Sequence, residues 1–176
     1  MVSINDLIAR VPSAPKVPRE PNINWINVTA DIKLNLPSMY KQLVEHLGDG
    51  SIGGFLSFLN PASKNPHLNL SSALSFQNSY ETMKELFPED YSRPSFPLKG
   101  SFLTWAITDN GDTFFWVIDG QPDEWIVGIH SRDPAEEEIS GQNTSNFLFN
   151  LFSHQLTSNI LPEGFLNGDL SFKAEK

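Results

Sequence analysis

The stretch that decides the fold is GSFLTWAITDNGDTFFWVID, residues 100–119. Two runs rich in β-branched and aromatic residues flank the dipeptide Asn110-Gly111. An Asn-Gly pair between such runs is a strong signal for a β-hairpin, and its usual type I′ turn needs positive φ at both residues. A third apolar run, residues 124–130, follows a turn at Gly120 and Pro122. We therefore predict a three-stranded antiparallel meander, with strands near 102–108, 113–118 and 124–130.

Helical periodicity on both sides of the meander predicts the elements that cover it. Residues 37–47 carry apolar side chains at i, i+3, i+4 and i+7, and the pattern over 71–87 is also mainly helical. Asn143 or Thr144 can cap a third helix. The short aromatic run 51–59 predicts one more strand. The predicted fold is a single-domain α+β protein. Its antiparallel sheet, formed by the meander near 102–130 and the strand 51–59, is packed by helices near 37–47, 71–87 and 143–157.

Residues 48–53, GDGSIG, fit the G-x-G-x-x-G pattern of dinucleotide-binding loops. That pattern binds pyrophosphate when it follows a strand and opens a helix. Here it follows a helical pattern and precedes a predicted strand. We therefore interpret it as a corner in which Gly48 ends the helix with positive φ, and we predict no cofactor.

Residues 1–21 are predicted to form an N-terminal segment before a domain that spans 22–176. Ser3 and Asp6 have the spacing of a capping box, which favours one short helix over residues 3–10. Prolines then recur every third residue, which favours an extended polyproline-like arm over residues 11–21. Such an arm is a linker or a strap over the domain surface, and the alternative is a ligand for a proline-binding module.

Composition narrows the classes of partner and of chemistry. The chain of 176 residues has 12 basic and 21 acidic residues, a formal net charge of −9. Nucleic acid and anionic membranes repel such a chain, so a partner selected by charge is a basic protein. The chain has no cysteine, which excludes thiol catalysis and disulfides. It shows no long apolar run and no signal-peptide pattern at its start, so we expect a cytoplasmic protein.

The histidines give no strong catalytic or metal-binding pattern, because no two of them have the spacing of a metal site. His130 lies near Asp133, which could form a ligand pair or an acid–base pair. A histidine at a strand end is the simpler interpretation. A small hydrolase around His130 stays open as an alternative, with no catalytic residue or metal ligand predicted.

The acidic residues concentrate between 109 and 138, where nine of them are opposed by Arg132 alone. A solvated surface that keeps the protein soluble is the simple explanation. The functional alternative is a surface that captures a basic partner and speeds the encounter. The predicted partner-binding set combines these acids with Trp116 as an exposed aromatic anchor: Asp109, Asp112, Trp116, Asp119, Asp123, Glu124, Asp133, Glu136, Glu137 and Glu138.

Several short motifs occur in an order that resembles the SUKH superfamily, which includes a yeast cell-wall-assembly regulator and many bacterial immunity proteins. They are Trp25, Leu36-Pro37 with Tyr40, Gly48, Gly50, residues 52–56, Asn60-Pro61, Gly111-Asp112, residues 123–125 and Phe147-Leu148. The resemblance covers about residues 22–157. It implies a non-catalytic immunity protein that neutralises a cognate toxin by direct binding. An intracellular regulatory or scaffold module that uses the Pro-rich arm is the alternative.

Overall fold

The fold is seen in a computed structural model that describes residues 2–132 and 136–175. The helices are α1 (Ile4–Ile8), α2 (Trp25–Ile32), α3 (Ser38–Leu47), α4 (Ser72–Leu86), α5 (Thr144–Phe152) and α6 (Glu163–Leu166). The strands are β1 (Gly50–Ile52), β2 (Leu56–Phe58), β3 (Phe102–Thr108), β4 (Thr113–Val117), β5 (Ile126–His130), β6 (Glu137–Asn143) and β7 (Phe172–Ala174). A short 3-10 helix, Pro122–Glu124, precedes β5. The α+β class is confirmed.

The strands form one antiparallel sheet in the order β6-β5-β4-β3-β2-β1-β7. The predicted meander is confirmed as β3–β4–β5, and its register pairs Phe102 with Val117 and Thr113 with His130. Strands adjacent in sequence are neighbours in the sheet from β1 to β6. Among the described strands, only β7 pairs with a strand that is not its neighbour in sequence, β1.

One face of the sheet carries an aromatic core covered by α1, α3 and α5. Trp105 stacks on Trp116 at a centroid distance of 5.3 Å, and Tyr40 of α3 meets Trp116 edge-on at 5.0 Å. The Tyr40 hydroxyl donates a hydrogen bond to the Leu59 carbonyl, which satisfies its polar atom inside the core. Phe147 of α5 completes the layer.

The opposite face packs against α4, which lies over β3. Tyr80 of α4 meets the ring of Phe102 edge-on at 4.9 Å, and the Gln77 amide donates to the Phe102 carbonyl at 2.6 Å. The following segment, residues 87–101, then crosses the same face. Helices therefore cover both faces of the central strands, which explains why both faces are apolar.

The glycine-rich corner ends a helix, as predicted. Gly48 follows α3 with φ of 64°, and its N–H donates to the Val44 carbonyl at 2.8 Å. The prediction of one strand over 51–59 is wrong, because the chain turns back at Gly53 and Gly54, with φ of 62° and 66°. The result is the hairpin β1–β2.

The turn between β3 and β4 is placed correctly, but its predicted type is wrong. Gly111 has a φ of 92°, whereas Asn110 does not have positive φ. The Gly111 N–H donates to the Thr108 carbonyl, and the Thr108 N–H donates to the Asp112 carbonyl. These bonds define a three-residue loop with a left-handed glycine instead of a type I′ turn.

The C-terminal third differs most from the prediction. The helix expected near 143–157 ends at Phe152, and His154 has a left-handed φ of 56°. No strand was predicted after the meander, but residues 137–143 form β6. Helix α6 and strand β7 were not predicted.

The Pro-rich arm runs along α3 and the end of the sheet. The N–H groups of Arg19 and Glu20 donate to carbonyls of α3, and His46 of α3 bonds to the Pro15 carbonyl at 2.7 Å. Val11 is buried in the core. These contacts describe a strap over the domain surface. In the described part of the chain, no helix has both the length and the apolar character that crossing a membrane requires.

Candidate functional site

The sheet divides the predicted acidic residues between the two ends of β4. Asp112 lies directly before this strand, whereas Asp119 follows it. Thr113 pairs with His130, so the β5–β6 connection lies at the Asp112 end. The 3-10 helix with Asp123 and Glu124 lies at the opposite end, roughly 16 Å away at about 3.3 Å per residue.

Asp112 is buried and stabilises the β3–β4 turn. One carboxylate oxygen accepts a hydrogen bond from the Thr108 hydroxyl at 2.9 Å, and the other accepts from the Arg132 N–H at 3.1 Å. Its predicted place on a partner-binding surface is therefore wrong, because its oxygens are used inside the fold.

Two further predicted residues, Asp123 and Glu138, bond to parts of the fold that are distant in sequence. Asp123 Oδ1 accepts from the Ser38 N–H at 2.6 Å and from the Ser38 hydroxyl at 2.9 Å, so it caps α3 from a distant part of the chain. Glu138 accepts from the Ser158 hydroxyl at 3.0 Å and from the Asn159 N–H at 2.8 Å. Both carboxylates connect separate elements of the fold.

Trp116 was predicted to be an exposed anchor, and this prediction is wrong. Its side chain is 0% exposed, and its indole N–H donates to the Thr144 hydroxyl at 2.9 Å. Trp116 lies on the face of β4 that α3 and α5 cover. Because both faces of β4 are apolar, the alternation of side chains along the strand did not distinguish the inner tryptophan from an exposed one.

Among the described residues, six of the predicted acids are exposed: Asp109, Asp119, Asp123, Glu124, Glu136 and Glu137. Asp119 forms an exposed ion pair with Lys99 at 3.0 Å, and the Glu124 carboxylate accepts from the Gln121 N–H at 3.2 Å. The side chains of Asp109 and Glu136 make no hydrogen bond or ion pair with other described residues.

A partly buried polar cluster lies around His130, the last residue of β5. Its predicted partner Asp133 falls outside the described residues. His130 Nε2 instead bonds to Glu137 of β6 at 3.0 Å. Arg93 binds the same carboxylate through two nitrogens, with Nε 2.7 Å from Glu137 Oε2. The side chains of His130, Glu137 and Arg93 are 8%, 28% and 18% exposed.

The electrostatics of this cluster favour an ionised carboxylate. Burial opposes ionisation and would raise the pKa of Glu137, but hydrogen bonds from Arg93 and His130 outweigh it and lower the pKa to about 2. The third guanidinium nitrogen of Arg93 donates to the Gly100 carbonyl at 3.1 Å, and the guanidinium lies 5.3 Å from the centre of the Phe115 ring. All three nitrogens of Arg93 are therefore occupied.

Two cavities meet at Tyr80 and His130. One, of about 210 Å³, is mainly apolar, and the other, of about 420 Å³, is polar and reaches Glu137. A carboxylate can orient an imidazole for proton transfer, which is the chemistry that the hydrolase alternative requires. Here Arg93 neutralises that carboxylate and ties it to the 87–101 segment. Among the described residues, no group of three or more histidine and carboxylate side chains is placed to hold a metal ion.

The sequence contained part of the signal for this cluster. Had residues 137–143 been recognised as a strand, a hairpin from β5 would have placed Glu137 opposite His130. The pairing of Arg93 with Glu137 could not be predicted from the sequence, because Arg93 lies in a proline-rich loop 44 residues before Glu137.

Comparison with known proteins adds no relative: no family model, no curated protein and no solved structure matches this chain.

Proposed function

We propose that this chain is a non-catalytic protein-binding module, and specifically a cytoplasmic immunity protein that neutralises a cognate bacterial toxin by direct binding. The observation that carries the proposal is how the polar groups are used. Arg93 pairs with the Glu137 carboxylate that His130 contacts, whereas the exposed side chains of Asp109 and Glu136 have no partner among the described residues. The arrangement suits attraction of a partner better than proton transfer. The order of motifs that resembles the SUKH superfamily supports the same function.

The expected partner is a basic protein. The net charge of −9 favours encounter with a positively charged surface and disfavours nucleic acid. A nuclease toxin fits this description, because a nuclease needs a basic cleft to hold phosphates. A protein with exposed carboxylates can occupy such a cleft without any catalysis of its own.

The regulatory-module alternative depends on a Pro-rich arm that is free to bind. In the structure the arm is bonded to α3, and the Phe172 N–H of β7 donates to the Pro12 carbonyl at 2.7 Å. A proline-recognition module would have to displace these bonds. The structure therefore favours a partner that binds the domain and not the arm.

The test measures association with the protein encoded by the neighbouring gene, at low and at moderate salt. Two double variants each remove two exposed charges. Asp109→Asn with Glu136→Gln acts at one end of β4, and Asp119→Asn with Glu124→Gln acts at the other end. The matched control, Asp31→Asn with Glu163→Gln, removes two exposed charges elsewhere.

We expect one of the two variants to slow association several-fold and to flatten its salt dependence, while the control binds as the wild type does. Absence of any binding would overturn the proposal. So would a turnover activity that is lost in His130→Gln while the protein stays folded, because that result would favour the hydrolase.

A further inference from the structure

The face of the sheet that packs against α4 is left uncovered at its β5–β6 side. Ile126 of β5 and Ile139 of β6 are 38% and 45% exposed. Ile126 pairs with Val117, and Ile139 pairs with Gly128, two residues along from Ile126. Since side chains alternate along a strand, Val117, Ile126 and Ile139 lie on one face. We call these three residues the isoleucine patch.

The patch borders a shallow cavity of about 280 Å³ whose other lining residues are Arg93, Asp119 and Glu124. Arg93 is neutralised by its ion pair with Glu137. The ion pair of Asp119 with Lys99 is exposed on both sides, and such pairs hold their partners weakly. The rim of the patch is therefore acidic around an apolar centre.

The outer strand β6 combines charged and apolar side chains. It carries Glu137 and Glu138, as edge strands commonly do to discourage pairing with other proteins, but it also presents Ile139 to solvent. In the described part of the chain, the other exposed large hydrophobic side chains lie in helices and loops. An apolar centre within a polar rim is the usual anatomy of a protein–protein interface.

We infer that the isoleucine patch is a docking surface for a protein segment that places aliphatic side chains beside lysine or arginine. Charge complementarity selects this occupant, because the rim carries Asp119 and Glu124 and the whole chain has a net charge of −9. The same charge disfavours a second copy of this chain. The identity of the natural partner rests on the proposed function, whereas the chemistry of the patch does not.

The first experiment uses defined probes: a ten-residue peptide of alternating leucine and lysine, and deca-lysine as the charge-only control. Their affinities are measured for the wild type, Ile126→Thr, Ile139→Thr and the matched control Ile26→Thr, which changes an exposed isoleucine of α2. Threonine keeps the β-branched shape that suits a strand. Hydrogen exchange on the wild-type protein maps the bound peptide without any substitution.

We expect the alternating peptide to protect residues 126 and 137–143, and to bind each patch variant about tenfold more weakly, as loss of a buried isoleucine predicts. Ile26→Thr should bind like the wild type. The inference is overturned if the peptide does not bind, if it protects another surface, if the patch variants bind equally well, or if deca-lysine binds as tightly.

The second experiment repeats the comparison with the protein encoded by the neighbouring gene. If that protein binds the patch variants as tightly as the wild type, the inference about the patch fails while the proposed function stands. If that protein does not bind while the alternating peptide occupies the patch, the proposed function fails while the patch stands.

Discussion

Replacing Glu137 by glutamine tests whether the ion pair between β6 and the 87–101 segment stabilises the fold. Glutamine keeps the shape of the side chain but removes the charge that Arg93 and His130 both contact. Arg93 is only 18% exposed, so it keeps a charge that water cannot fully solvate. Removing one partner of such a pair is costly for this reason.

The magnitude follows from the pKa of Glu137. Its fall from an ordinary 4.5 to about 2 corresponds to about 3 kcal/mol, at about 1.36 kcal/mol for each pKa unit. The carboxylate is 28% exposed, and solvent screening lowers the expected contribution to about 2 kcal/mol. Because the folded-state pKa is depressed, this stability is fully present above pH 4.5 and is lost as pH falls from about 4.5 to about 2.

The assay is urea unfolding of the wild type and of Glu137→Gln at pH 7 and pH 3, with Glu136→Gln as the control. Glu136 is the adjacent exposed carboxylate, and its loss should change the free energy of unfolding by less than about 0.5 kcal/mol. The Glu137 difference should be about 2 kcal/mol at pH 7 and clearly smaller at pH 3. An equal difference at both pH values, or none at pH 7, would refute the reasoning.

Five further substitutions, two of them controls, test local features of the fold by urea unfolding. Gly128→Ala should destabilise by about 1–3 kcal/mol, because its Cβ would lie 2.2 Å from the aromatic ring packed over it. Gly164→Ala is the control, because a Cβ at Gly164 meets nothing within 4 Å, and it should be neutral or slightly stabilising. Equal effects of the two glycine substitutions would contradict the close packing at Gly128. Gly111→Ala should cost about 1 kcal/mol because of its φ of 92°, whereas Asn110→Ala should cost less. A larger cost for Asn110→Ala than for Gly111→Ala would favour a type I′ turn instead. Asp123→Ala should cost about 1 kcal/mol through loss of the α3 cap, and an unchanged midpoint would show that the cap contributes nothing.

The elements that could be predicted from the sequence are those held by near neighbours in the chain. The capping box of Ser3 and Asp6 forms with α1, and Gly48 ends α3 as expected. The meander was predictable because its hairpins join strands that are adjacent in sequence. In each case the interacting groups lie within a few residues, so the order of residue types contains the interaction.

The tertiary structure decided which side chains are available for function. Asp123 caps a helix 85 residues away, and Arg93 binds Glu137 across 44 residues, so neither partner has a local signal. Through these contacts, some residues of the predicted acidic surface have a structural role in the fold.

Burial within the sheet was also a tertiary decision. Trp116 and Phe115 point to opposite faces of β4, and both are buried because helices α3 and α5 cover one face while α4 and the 87–101 segment pack on the other. On β5 and β6, the same kind of apolar residue stays exposed at Ile126 and Ile139. An apolar side chain has the same chemistry whether a helix or solvent lies above it, and only long-range packing determines which of the two is present.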